Sequence, residues 1–90
     1  MAPHEVRLAQ NSPNPFNPST QIAFDLPNSA SVSLIVYDVT RREVTRLSEG
    51  TLTAGHHTSL FDGRDLASGV YFYTLNTPGF SQTKKMLLMK

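Results

Sequence analysis

The chain contains no cysteine and no tryptophan in its 90 residues. Without thiols it can form neither disulfides nor thiolate metal sites, and cysteine usage says nothing about its redox compartment. An excess of charge of one sign is also missing. Eight basic residues face seven acidic ones, a formal +1, and the Lys and Arg are scattered. This excludes the electrostatic footprint of a nucleic-acid or anionic-membrane binder. Long apolar runs are absent too: Met86 to Met89 falls far short of the roughly 20 residues of a spanning helix. The first residues have neither the basic nor the apolar region of a secretory signal. No stretch holds helical period, and no glycine-rich phosphate cradle is present. At 39% apolar composition the chain can fill one modest core and not two.

What is present is strand and turn. The richest stretch is Leu66-Ala-Ser-Gly-Val-Tyr-Phe-Tyr-Thr-Leu75, where a turn signal runs into β-branched and aromatic residues that suit a pleated, half-buried surface. Period two puts Tyr71, Tyr73 and Leu75 on one face, taken as inward, and Val70, Phe72 and Thr74 on the other. The spacing Leu66, Gly69, Tyr71 matches a tyrosine corner, in which a phenol folds back onto backbone a few residues upstream.

Upstream, Val6 to Gln10 carries a weak strand signal. In Gln10-Asn-Ser-Pro-Asn-Pro-Phe-Asn-Pro-Ser-Thr20 the three prolines forbid helix and push Ser12, Asn14 and Asn17 toward extended geometry. Asn and Ser side chains can tether the loop locally. Phe16, its one large apolar group, is expected to plug an end of the core, the rival being a Pro-rich ligand for a partner's groove. Thr20 to Leu26 alternates with Ile22, Phe24 and Leu26 inward. After a turn at Pro27-Asn28-Ser29, Ser31 to Val39 alternates with Val32, Leu34 and Val36 inward. Its other face carries Ile35 and Tyr37. Together with Phe72 these form a candidate solvent-facing docking stripe, burial under a loop being the alternative.

Thr40 to Arg42 reads as a turn. From Glu43 to Glu49, Val44 and Leu47 break period two, which fits a bulged edge strand or an irregular turn. Gly50 to Gly55 reads as loop, with Leu52 a possible core filler. His56 to Phe61 alternates with His57, Ser59 and Phe61 on one face. Asp62 to Asp65 turns, Asn76 to Gly79 is a hairpin connection of about four residues, and Phe80 to Lys90 is the last strand, with Met86 and Leu88 inward. About seven short strands at this spacing predict an all-β, immunoglobulin-like antiparallel sandwich.

Chemistry is weakly represented. His56 and His57, adjacent in a strand, diverge to opposite faces and cannot readily chelate one ion; His4 sits near the terminus. Asp62 and Asp65 flank Gly63 but lack the dense acidic ladder of a calcium loop. Paired carboxylates with a substrate groove are not evident. No catalytic residue, metal ligand or cofactor is assigned.

Four stretches in order, Gln10 to Thr20, Val36-Tyr-Asp38, Leu66 to Tyr73 and Lys84-Lys-Met-Leu-Leu-Met-Lys90, together resemble the type A C-terminal sorting domain of type IX secretion, over roughly residues 8 to 90. The resemblance implies a non-catalytic delivery tag at the end of a larger exported cargo. It implies an outer-membrane translocon and a sortase-like cysteine peptidase as partners, and a secreted or cell-surface destination reached through the periplasm. Family motif positions fall on Pro13, Asn14, Pro15 and Phe16, then Gly69 and Tyr71, then Lys85. Translocon recognition is expected at Gly69, Tyr71, Lys85 and Lys90, through an ordered basic side chain or an exposed edge on the last strand. Residues 1–9 are expected to be linker, with cleavage between His4 and Gln10, and 10–90 the folded domain, a monomer. Phe61 stands where relatives often have Trp. The rival class is an Ig-like accessory or carbohydrate-binding module with Tyr37, Phe72 or Tyr73 as its platform. A third, an Ig-like element of flagellar hook-cap scaffolds, is disfavoured by the Lys84 to Lys90 pattern.

Overall fold

A computed structural model describes residues 5–90. His4 lies outside the described residues. Seven strands run in the order β1 (Arg7–Leu8), β2 (Ser19–Leu26), β3 (Ala30–Tyr37), β4 (Glu43–Leu52), β5 (Gly55–Asp62), β6 (Gly69–Thr77) and β7 (Phe80–Leu88). They pair antiparallel into a three-stranded sheet, β1-β2-β5, and a four-stranded sheet, β4-β3-β6-β7. The expected all-β sandwich is what the chain forms.

The core lies between the sheets, where alternation decides which side chains enter. Ile22, Phe24 and Leu26 of β2 and Phe61 of β5 meet Val32, Leu34 and Val36 of β3, Tyr71, Tyr73 and Leu75 of β6, and Met86 and Leu88 of β7, all buried. Period two places each of them inward except Phe61, which it puts only on a shared face with His57 and Ser59. Burying a large apolar side chain is worth roughly 1.5–3 kcal/mol, so a one-residue slip of any of these strands would expel its whole set from the core.

Three readings need correction. β4 is a strand through Leu52, so the expected Gly50 to Gly55 loop shrinks to Thr53-Ala54 between β4 and β5. Its broken period is physical: the register with β3 shifts twice, at Leu34/Ile35 and at Val36/Tyr37. Leu47 and Val44 are the extra residues of those bulges, and both still pack against the core. The β6–β7 connection is tighter than expected, because Asn76 pairs with Ser81 and Thr77 with Phe80. Only Pro78-Gly79 turns, with Gly79 at φ 79°, a backbone conformation that glycine adopts without steric cost. Finally, Ile35 is only 7% exposed. The solvent-facing stripe therefore reduces to Tyr37 and Phe72, each half-buried. Period two had placed Ile35 on the outward face correctly, yet facing outward at a bulge does not mean lying open.

The pairing begins upstream of Gln10: Arg7 and Leu8 pair with Asp25 and Phe24, and Leu8 is buried in the core.

Candidate functional site

The expected recognition residues converge on one end of the sandwich, where the proline loop, the start of β6 and the chain's last residues meet. Phe16 enters the core at 2% exposure and packs edge-on against Phe61, with ring centroids 5.8 Å apart. Its backbone forms a parallel bridge to the tail: the Phe16 amide donates to Leu87 O and the Met89 amide donates to Phe16 O, both at 3.0 Å. The Asn14 side-chain oxygen accepts from the Leu87 amide at 3.1 Å, and the Gln10 side-chain amide donates to Lys85 O at 2.7 Å. Residues 10–16 thus form a strap along the outer edge of β7 over Lys85–Met89. Among the described residues, the edge of β7 left uncovered is its first half, Phe80–Thr83, with the Lys85 amide.

The strap is itself held from inside. Asn11 and Thr20 are buried polar residues, and their side chains bond each other at 3.1 Å and both donate to Pro13 O. The Tyr73 hydroxyl donates to Ala9 O at 2.7 Å and accepts from the Asn11 amide at 2.8 Å. Burial pushes the Tyr73 phenol up to about 12, with the Asn11 amide opposing. Pro13, Pro15 and Pro18 all follow cis peptide bonds. Gly63 completes the floor. Its amide donates to Pro18 O at 2.8 Å, and a Cβ there would meet Leu88 Cδ2 at 3.0 Å and Pro18 O at 3.3 Å. A side chain here would have to push Leu88 or the Pro18 carbonyl aside. In the sequence, Gly63 is visible only as a turn residue.

The tyrosine corner is present. Tyr71 Oη donates to Ala67 O at 2.7 Å, and the ring is buried. Gly69 sits at φ 150° with open space around it, so backbone conformation and not crowding asks for glycine. Both residues act on the shape of the 66–71 corner, and neither presents a free functional group. The lysines differ. Lys85 is exposed and its side chain points outward beside Phe72, its partner in the ladder. Lys90 is exposed and tied down: its amide donates to Ser68 Oγ at 3.1 Å, and its ammonium donates to Arg64 O. Arg64 is spent on Asp62, at 3.0 Å.

The two histidines are each engaged by a neighbour. His56 pairs with Asp25 and His57 bonds Thr53 O while stacking on Phe24. The His56–Asp25 pair borders a groove of about 390 Å³ whose other lining residues bring no hydroxyl or thiol nucleophile. No group of three or more metal-ligating side chains occurs among the described residues, and no helix of the described residues is long and apolar enough to cross a membrane. As sugar platforms, Tyr73 is fully buried and the Phe72 ring lies under the Arg41 guanidinium, 5.9 Å from its centroid.

What distinguishes the described residues is a terminal strand locked to a proline loop. The profile of the secretion system C-terminal sorting domains matches residues 12–89, and the chain belongs to that family. The family is a sorting signal and not a catalytic one, carried on a larger exported protein and directing it by type IX secretion to the cell surface or beyond. Among solved structures, the chain is similar to one from a study of PorZ, described as an essential bacterial surface component of the type-IX secretion system of Porphyromonas gingivalis. The two share 22% identity with a TM-score of 0.61, over 94% of this chain and 11% of that one. The likeness is one of fold. No curated protein gives a match.

Proposed function

We propose that this domain is read by an outer-membrane translocon as the address of the cargo joined to its N-terminal side, and is then removed by a sortase-like peptidase, with no enzymatic activity of its own. The observation that carries the reading is the strap-to-tail lock. Met89 and Lys90 are each hydrogen-bonded to the body of the fold. Lys85 offers an exposed positive charge and Lys90 a tethered one to a partner, and Gly69 and Tyr71 act by shaping the corner beside them. The open Phe80–Thr83 edge and the Tyr37–Phe72 pair are the two further surfaces for docking. Because Arg7 and Leu8 are paired and Leu8 is in the core, cleavage falls upstream of Arg7, where cutting leaves the sandwich intact.

The test is a fluorescent periplasmic reporter fused to this chain in a bacterium with this secretion route. The reporter should reach the surface or medium and lose the tag, and deleting 80–90 should hold it in the periplasm. Normal export of the deleted fusion would overturn the reading. Lys85→Ala combined with Lys90→Ala should slow export while leaving the thermal unfolding of the purified chain within a few degrees of wild type.

A further inference from the structure

The outer face of the four-stranded sheet carries a group of side chains that the packing of the sandwich does not use. Tyr37, Phe72 and Lys85 are register partners across β3, β6 and β7, so they form one row on one face, about 4.8 Å from strand to strand. Above this row stands Arg41, the only non-glycine residue with positive φ among those described, at 70°. That conformation disfavours any residue with a Cβ. The turn that imposes it is rigid, since Asp38 Oδ1 accepts from the Thr40 amide, the Thr40 hydroxyl and the Arg42 amide, and the Arg41 amide donates to Asp38 O. The consequence is an arginine laid on the Phe72 ring, bordering a shallow hollow of about 190 Å³ lined by Tyr37, Arg41, Phe72, Thr74 and Thr83.

Neither Arg41 nor Lys85 has an acidic partner among the described residues. The nearest carboxylate in the ladder, Glu43 opposite Tyr37, is engaged by Arg46. A guanidinium stacked on an aromatic ring is held with its N–H edge free, the geometry that takes a carboxylate through two parallel hydrogen bonds. Lys85 offers a second, point-like cation beside the same ring. We propose that this face is a docking site for an acidic extended segment of a partner protein, one carboxylate on Arg41 and a second, two or three residues along, on Lys85. An anionic sugar is the poorer fit, because the Phe72 face on which a sugar ring would stack is taken by Arg41. The inference rests on the reading of Tyr37 and Phe72 as a contact surface and names the chemistry of what binds there. Its test needs no secretion apparatus, so it can fail while the sorting role stands.

The experiment is an amide NMR titration of the full chain with three probes: a blocked hexapeptide carrying aspartates two residues apart, its asparagine twin, and a glucuronate oligosaccharide. The acidic peptide should shift the amides of Tyr37, Arg41, Phe72 and Lys85 saturably. Arg41→Gly removes the side chain and relaxes the backbone, so the fold survives. It should weaken binding roughly fivefold, the scale of an exposed ion pair; Lys85→Gln should weaken it by a similar or smaller factor. An equal response to the asparagine twin, shifts confined to another face, no response at millimolar peptide, or tighter binding of the glucuronate probe would each overturn the proposal.

Discussion

The four-stranded sheet ends in two edge strands that are protected in different ways. β4 is bulged twice, and along it Arg46 bridges Glu43 and Glu49 at 3.1 and 2.7 Å. Bulges and charges of this kind keep an edge from pairing with another chain. β7 has no register shift over its nine residues, and half of its outer edge is closed by the strap. One edge is made unfit for pairing; the other is fit for pairing and partly occupied by its own chain. A regular edge that the protein covers and does not distort is one whose geometry is being kept.

The contrast can be broken most directly at Phe16. Phe16→Ala should cost about 3–5 kcal/mol of unfolding free energy, the range for a buried aromatic, and should release the Leu87 and Met89 amides to rapid hydrogen exchange. Leu47→Ala on the bulged edge, a half-buried site, should cost below about 2 kcal/mol. If the two variants proved equally stable, the strap would not be the stronger of the two devices.

Tyr73 sharpens the comparison next. Tyr73→Phe leaves the carbonyl of Ala9, just before the strap, and the amide of Asn11 without their partner, at a cost of about 2 kcal/mol in a denaturant titration. It also predicts a pH dependence. The folded-state pKa is raised from 10.0 to about 12. Above pH 10 the unfolded chain therefore releases a proton that the folded chain retains, so stability is complete below about pH 10 and declines toward pH 12. The decline should amount to roughly 2–3 kcal/mol and should be flatter in Tyr73→Phe. Gly63→Ala follows, at about 1–3 kcal/mol for an overpacked contact, because the nearest obstacles include Pro18 backbone as well as Leu88.

How much of this was legible follows from what fixes each feature. Strands with one face in the core announce themselves by alternation, which puts the core residues of β2, β3, β6 and β7 inward. The tyrosine corner was legible because donor and acceptor are four residues apart. Tyr73 was not, since its hydroxyl bonds residues more than sixty positions away, and no local pattern encodes such a meeting. β4 was half legible: its broken period signalled a bulge but hid that the strand runs on through Gly50. The strap was visible as prolines and asparagines, and Phe16 as its plug. That its occupied edge belongs to β7 is a matter of sheet order, which short-range spacing does not determine.

The smallest effect is expected at Arg46, where the two edges can be compared without touching the core. Its guanidinium is held by two carboxylates, which raise its pKa above the ordinary arginine value, Glu43 acting first. All three side chains are substantially exposed, and exposed ion pairs contribute little once solvent and side-chain entropy oppose them. Arg46→Gln should therefore shift the melting temperature by less than about 2 °C at moderate salt. Its effect should be on association instead. With the bulges in place and one charge gone, β4 should remain monomeric at concentrations where the Asn14→Ala variant, with part of the strap's hold on β7 removed, begins to self-associate in sedimentation velocity. The opposite ranking would mean that charge, and not bulged geometry, is what guards the β4 edge, and that the strap is dispensable as a cover.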